Sequence, residues 1–293
     1  MKHLKTLIPI LMMLMAMNLV SLGDTGGKLL TQHEVDPTFI AWARFALGAI
    51  CLLPFCRLRL HDIPTLFTWP ILLRSFLIAC AILSILTSLN TEPFANAISA
   101  FFIAPIISYF LAAYFLKETI TLPRTILLLF GFCGILLVVK PGANMSVGML
   151  FALLAGCFYS GYLVSSRWLI NQYRPRLLLI SQLVFGAIML SPVGLREIPN
   201  VANVEISFLI ILSALASALG NLLLIEANRR VPANIIAPLV YTQVLFATFY
   251  GVVVFNTWPD NLSLIGIIIV LSSGFGSWFI AGREADKEKP TNS

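Results

Sequence analysis

Apolar residues along this chain come in runs of membrane length, and polar residues collect between them. Ten such runs stand out: Leu7–Gly26, Pro37–Phe55, Trp69–Asn90, Ala95–Leu116, Leu122–Val139, Val147–Arg167, Leu177–Leu195, Ile206–Ile225, Ala233–Phe255 and Leu262–Ala281. A helix needs about 20 mostly apolar residues to cross a bilayer core. The pattern therefore predicts an all-α integral membrane protein with ten transmembrane helices and short turns. Pro141–Gly142, Pro259–Asp260 and the polar stretch Arg196–Asn203 supply turn residues. The opening Met1–Lys5 followed by an apolar run is similar to a signal peptide. No small-x-small cleavage site follows within reach and nine further runs do, so it reads as a retained first helix.

The run Ala95–Glu118 has an echo. A-N-A-I-S-A-F-F-I-A-P returns as A-N-I-I-A-P in Ala233–Asn256, with Ala233 lying 138 residues after Ala95. At the same offset Arg44 falls on Gln182 and Glu118 on Asn256, and near it Lys28 falls on Arg167. The expected units are residues 1–142 and 146–282, each with five helices, and a cytoplasmic polar tail over 283–293. Five is odd, so the second half must enter the membrane from the opposite side. Two inverted five-helix repeats are the geometry of alternating access around one midplane site.

Composition sharpens this picture. The 293 residues are 59% hydrophobic and only 11% charged, against about 25% charged in a soluble domain. The net charge of +6 sits at the ends of apolar runs and not in a patch, which argues for topology signals and against nucleic acid. With the N-terminus inside, fifteen Lys and Arg lie at cytoplasmic ends, three lie opposite and Arg44 lies within a span. That bias places both termini in the cytoplasm. The five cysteines lie in or beside apolar runs with no C-x-x-C spacing, and read as small buried hydrophobes.

The motifs R-F-A-L-G-A at Arg44–Ala49, L-K-E at Leu116–Glu118, G-F-C-G-I-L-L-V-V-K-P-G at Gly131–Gly142 and L-I-G-I-I-I-V-L-S-S-G at Leu264–Gly274 carry a resemblance. With the two A-N…A-P helices, they make the chain similar to the drug/metabolite transporter superfamily, in its EamA-domain branch. Asn256 departs from the acid usual at that place. The resemblance implies a bacterial inner-membrane carrier of amino acids, drugs, nucleoside-like metabolites or vitamins. Asp24 with Lys28, followed by Arg-Phe and the L-K-E helix, is also similar overall to the riboflavin carriers.

Arg44 is the sharpest candidate, seven residues and about 10 Å into its span. At that depth an arginine costs at least ~2–3 kcal/mol without a partner or a wet cavity. It is either a cavity ligand for an anionic group or half of an ion pair with Asp24, and both readings stay open. Asp24 and Lys28, four apart, can also pair locally. Ser99 and Tyr109 are ten apart, so about 80° apart around a continuous helix, and could line one face. Tyr159 and Tyr162 could stack on a ring-shaped solute, with interface packing as the alternative. Tyr241 and Gln243 lie deep in the second repeat helix. Asp24, Glu92 and Glu226 are candidate gate or ion-coupling acids, against simple solvation at helix ends. Asn96 and Asn234 read as local caps, Asn18 and Asn221 as links between helices. Pro105 and Pro238 should kink their spans and free backbone carbonyls toward the site.

The expected function is a secondary carrier, with riboflavin as one expected solute and amino acids, drugs or nucleoside-like metabolites as alternatives. A membrane-embedded lipid-linked transferase is the alternative from another class. It is disfavoured because His3, His33 and His61 are isolated and no D-x-x-D or D-D pair occurs. A sensory or scaffold role would call for a soluble signalling domain. No nucleotide-binding loop, cofactor or metal motif is expected, nor enzymatic activity. The partners are a small solute and the lipid bilayer, with no nucleic acid, in a monomer or homodimer.

Overall fold

A computed structural model of the chain describes residues 2–56, 62–117, 120–140, 145–169, 172–230 and 237–287. All regular structure among them is helical. The helices are α1 (Lys2–Gln32), α2 (Pro37–Cys56), α3 (Ile63–Leu66), α4 (Trp69–Thr91), α5 (Phe94–Phe101), α6 (Ile103–Leu116), α7 (Leu122–Val139), α8 (Val147–Leu169), α9 (Pro175–Gly194), α10 (Val204–Arg230), α11 (Thr242–Val253) and α12 (Asn261–Lys287). A 3-10 turn, Ala237–Tyr241, leads into α11.

Seven segments of the described residues are long and apolar enough to cross a membrane. Three shorter apolar helices, Thr125–Val139, Leu239–Val253 and Asn261–Gly276, accompany them. Large side chains such as Phe115, Phe208 and Phe249 are exposed on the outer surface, as lipid-facing residues are. Cys133 and Cys157 are also exposed, which corrects the reading of every cysteine as buried; a bilayer accepts a thiol as readily as a core does.

Helix starts follow local chemistry. Asp36 Oδ1 accepts the Thr38 amide at 2.7 Å, with Pro37 opening α2. Ser146 Oγ accepts the Met149 amide at 3.0 Å at the start of α8. Asp260 Oδ1 accepts the Leu262 and Ser263 amides at 3.1 Å at the start of α12. Lys140 bonds the same Asp260 at 2.6 Å, and that bond first of all holds its carboxyl below the usual carboxylate range.

The helix α1 runs past its expected end at Gly26. Gly26 and Gly27 do not terminate it; they let α10 and Arg44 come close. A Cβ on Gly27 would stand 2.6 Å from Arg44 Nη2, and one on Gly23 would stand 3.0 Å from the Ser213 carbonyl. The run expected as one span over Ala95–Leu116 is two helices, α5 and α6, meeting at Phe102. The cause is Pro105, whose missing N–H cannot bond the Phe101 carbonyl. Pro238 sits in the 3-10 turn that runs directly into α11. The final helix continues to Lys287 within the expected polar tail. The expected turn Pro141–Gly142, the cap Asn234 and the acid Glu118 lie outside the described residues.

The packing has an order that sequence position does not suggest. α1 lies along α10, α4 along α8, α2 along α9 and α7 along α12. α6 touches α8, as α11 touches α1; α4 touches α9, as α2 touches α10. Exchanging α1 with α8, α2 with α9, α4 with α10, α6 with α11 and α7 with α12 leaves this scheme unchanged. At the α7–α12 seam, Gly134 and Gly266 bring backbones together: a Cβ on either would lie 2.5–2.7 Å from the other's carbonyl. The helix ends Lys117 and Asn256 share a left-handed conformation, φ 56° and 52°. The L-K-E end thus has a partner in backbone shape though not in charge.

Candidate functional site

Two polar networks lie within this apolar bundle. The first joins α1, α2, α10 and α11 around Arg44, which is 6% exposed. Its Nη1 donates to Asp24 Oδ1 at 2.8 Å, its Nε to Ser213 Oγ at 2.8 Å and its Nη2 to the Gly23 carbonyl at 2.5 Å. Ser213 Oγ donates to the same carbonyl at 2.9 Å. Gln243 Nε2 reaches the other Asp24 oxygen at 3.5 Å, and the Gln243 carbonyl accepts from Ser21 Oγ at 3.2 Å. Burial removes water, so the charges must satisfy each other, and here they do.

The second network joins α4, α8 and α9 around Arg74, 4% exposed. Nε donates to Ser166 Oγ at 2.8 Å, Nη1 to the Leu178 carbonyl at 2.8 Å and Nη2 to Tyr162 Oη at 2.9 Å. Tyr162 Oη in turn donates to Gln182 Oε1 at 2.9 Å. The Arg74 guanidinium sits 4.6 Å from the Tyr162 ring centroid. Tyr162 stacks on Tyr159 at 5.3 Å, and Tyr159 meets Phe101 at 4.9 Å, at the break between α5 and α6. Gly156 makes that approach possible, since a Cβ there would lie 2.9 Å from the Phe101 carbonyl.

The networks occupy equivalent places. Asp24 shifted by 138 residues is Tyr162, and Arg44 shifted by 138 is Gln182. Each pair is hydrogen-bonded across α1–α2 or α8–α9.

The expected Asp24–Lys28 pair is corrected: Asp24 faces Arg44, whose guanidinium reaches it from α2. Lys28 turns the other way and donates to the Leu89 carbonyl at 2.9 Å and to the Glu92 carbonyl. Glu92, buried where α4 ends, accepts from Ser146 Oγ. Ser99 is buried, and its hydroxyl bonds back to the Ala95 carbonyl at 2.7 Å. Tyr109 does not share its face. Its hydroxyl accepts the Thr121 amide at 3.0 Å, at the turn between α6 and α7. The break at Phe102 invalidates helical-wheel arithmetic between the two residues. Tyr241 packs its ring against Phe102 at 5.2 Å and over Gly274, so the break between α5 and α6 meets the start of α11 there. A narrow crevice beside them is lined by Ile106, Gly131, Ile135, Val270 and Ser273. Glu226 is half-buried near the end of α10. Asn96 is corrected too: Oδ1 is buried without a partner and caps nothing. Asn18 accepts from Tyr250 Oη at 3.1 Å, linking α1 to α11. Asn221 instead donates to the Ser217 carbonyl of its own helix at 2.9 Å, so it does not link helices.

Sequence reasoning missed Arg74, Ser166 and Ser213 as members of the networks. Arg74 is one of the fifteen cations that the charge count assigns to cytoplasmic helix ends. A signal was present, because it lies five residues inside its span, too deep for a side chain at the boundary. Among the described residues no group of three or more His, Cys, Asp or Glu is placed to hold a metal ion.

The profile of the EamA-like transporter family matches residues 7–140 and again 146–279. An "S-adenosylmethionine uptake transporter" of Rickettsia bellii is 27% identical over 79% of this chain and 80% of its own length. Another with that name, from Rickettsia conorii, is 26% identical over 79% of each chain. An "Uncharacterized transporter" of Helicobacter pylori (strain ATCC 700392 / 26695) is 29% identical over 58% of this chain and 60% of its own. One solved crystal structure matches with a TM-score of 0.63 at 15% identity, covering 94% of this chain and 98% of the other; this speaks for the fold alone. The riboflavin expectation gains no support from the names of these relatives.

Proposed function

The chain belongs to the EamA-like transporter family, and on that premise we propose that it is a secondary carrier for S-adenosylmethionine or a closely similar adenosyl amino acid. It works by alternating access in a bacterial inner membrane, with ten spans, inverted five-helix halves over residues 1–142 and 146–282, and both termini in the cytoplasm. The observation that carries this reading is the helix-pairing scheme, which is unchanged when the halves are exchanged. The charge bias of the loops supports the inverted sense. The names of the Rickettsia relatives support the solute class.

In this orientation the Arg44 network lies toward the outer face and the Arg74 network toward the inner. Each ties α1 or α8 to the second and third helices of the halves. They are the two latches of the cycle, one opening while its counterpart holds. The solute crosses between the break of α5 with α6 and the start of α11, past Phe102 and Tyr241, with Ser99, Tyr159 and Gln243 nearby. Asp24, Glu92 and Glu226 are the candidate acids for coupling or gating.

Counterflow of labelled S-adenosylmethionine in proteoliposomes tests the function. Accumulation that unlabelled S-adenosylmethionine drives, and that riboflavin or single amino acids leave unchanged, is expected. Accumulation driven by riboflavin or amino acids alone would replace the solute assignment, and no counterflow with any of them would overturn it. A periplasm-active reporter fused after Ser293 should be silent; activity there would refute the ten-span count.

A further inference from the structure

Arg74 has a charge that its surroundings do not balance. It is 4% exposed within a predominantly apolar helix, and its three hydrogen-bond acceptors, Ser166 Oγ, the Leu178 carbonyl and Tyr162 Oη, are all neutral. Among the described residues no carboxylate lies within ion-pair distance of it. A buried cation without a counter-charge is expensive in a protein interior and more so in a membrane. The other network provides for the opposite case: there the guanidinium comes from α2 and not from a third helix, and Arg44 has Asp24. Where Asp24 would fall, the second half carries Tyr162, which is neutral.

The guanidinium also has capacity left. It carries five N–H groups in a fixed fork, and three are used. Two remain, the number a carboxylate takes in a bidentate pair. The surroundings point toward the solute path. Tyr162 lies under the guanidinium, Tyr159 stacks on Tyr162, and Phe101 closes the column at the break between α5 and α6.

We propose that the missing counter-charge is the carboxylate of the transported solute, and that Arg74 is its receptor. This deepens the carrier reading above and rests on it. The closed form seen here holds Arg74 with neutral acceptors on α8 and α9. When α4 moves from α8 and α9, the fork meets the solute's carboxylate, and closure then buries an ion pair instead of a lone cation. A carboxylate-bearing solute would thus stabilise the occluded form, which an uncharged analogue would not.

The test is competition against uptake of labelled S-adenosylmethionine by unlabelled S-adenosylmethionine and by its decarboxylated analogue, in wild type and in Arg74→Gln. Wild type should prefer the carboxylate-bearing form at least about tenfold, and Arg74→Gln should bring the ratio close to one. A purely structural Arg74 would lower the amount of folded protein and leave the ratio unchanged. If Arg74→Gln does not fold, Arg74→Lys keeps a point charge and loses the fork, and should reduce the ratio. No preference in wild type, or a preference that survives both variants, overturns the proposal. If wild type takes up no S-adenosylmethionine, the solute assignment falls first. The Arg74 proposal is then read from thermal stabilisation of the purified protein by methionine and other amino acids against their amides. Stabilisation by the acids alone, lost in Arg74→Gln, would uphold it. No stabilisation of wild type, or equal stabilisation of both proteins, would refute it.

Discussion

Two networks lie around positions related by the 138-residue shift, Asp24 with Arg44 and Tyr162 with Gln182; each is built on one buried guanidinium, Arg44 from α2 and Arg74 from α4, yet they are balanced differently. Around Arg44 every strong group has a complement: the Asp24 carboxylate, the Ser213 hydroxyl and the Gly23 carbonyl. Around Arg74 the acceptors are neutral and a tyrosine stands where the carboxylate would be. Positions related by the 138-residue shift need not do equivalent work. The balanced network holds α1, α2 and α10 together. The unbalanced one leaves a charge to be satisfied by something that arrives.

The largest effect should come from unbalancing the first network. Asp24→Asn leaves Arg44 buried with neutral partners only, and breaking one side of a buried pair costs on the order of 3–5 kcal/mol. Thermal melting of the purified protein should fall sharply. The double variant Asp24→Asn with Arg44→Gln should recover part of the loss, since no charge is then stranded. If Asp24→Asn melts like wild type, the first network is no lock and the comparison fails.

Packing provides a second contrast of intermediate size. Gly23 and Gly161 are 138 residues apart and occupy equivalent turns of α1 and α8. A methyl group at Gly23 would meet Ser217 Oγ at 2.3 Å and two backbone atoms of α10 at 3.0 Å. At Gly161 it would meet only the tip of Leu77, at 3.2 Å. Gly23→Ala should cost about 1–3 kcal/mol through overpacking. Gly161→Ala should be close to neutral, because Leu77 can turn and alanine favours the helix by roughly 0.5–1 kcal/mol. Equal losses at the two sites would mean that the second network is packed as tightly as the first.

Much of this was legible beforehand, for definite reasons. A bilayer forces length and apolarity on every span, so the helices could be read from apolar runs. An arginine inside a span demands a partner, so Arg44 and Asp24 could be paired as one of two readings. The break near Pro105 follows from the missing amide. Other features depend on close approach between distant segments, which leaves no local mark. Gly26–Gly27 looks like a stop and serves as a contact surface for α2 and α10. Tyr109 looked like a neighbour of Ser99 because a single axis was assumed across Phe102. Arg74 was hidden by its place near a helix end, where a long cationic side chain usually snorkels to the interface.

The smallest effect isolates a single hydrogen bond in each network. Both guanidinium Nε atoms donate to a serine hydroxyl at 2.8 Å, Arg44 to Ser213 and Arg74 to Ser166. Ser213 is fully buried, whereas Ser166 is half-exposed. Ser213→Ala therefore strands a charged donor with no water to replace the lost acceptor, and should cost about 1.5–3 kcal/mol of stability. Ser166→Ala leaves room for water, so its stability cost should stay near 0.5–1 kcal/mol. Its larger effect should fall on solute affinity, because the Arg74 fork loses the bond that fixes its plane. Melting temperature and the half-saturating solute concentration, measured on both variants, separate the two. Ser213→Ala should move the first more and Ser166→Ala the second; a reversed order would assign the lock to Arg74 and the solute to Arg44.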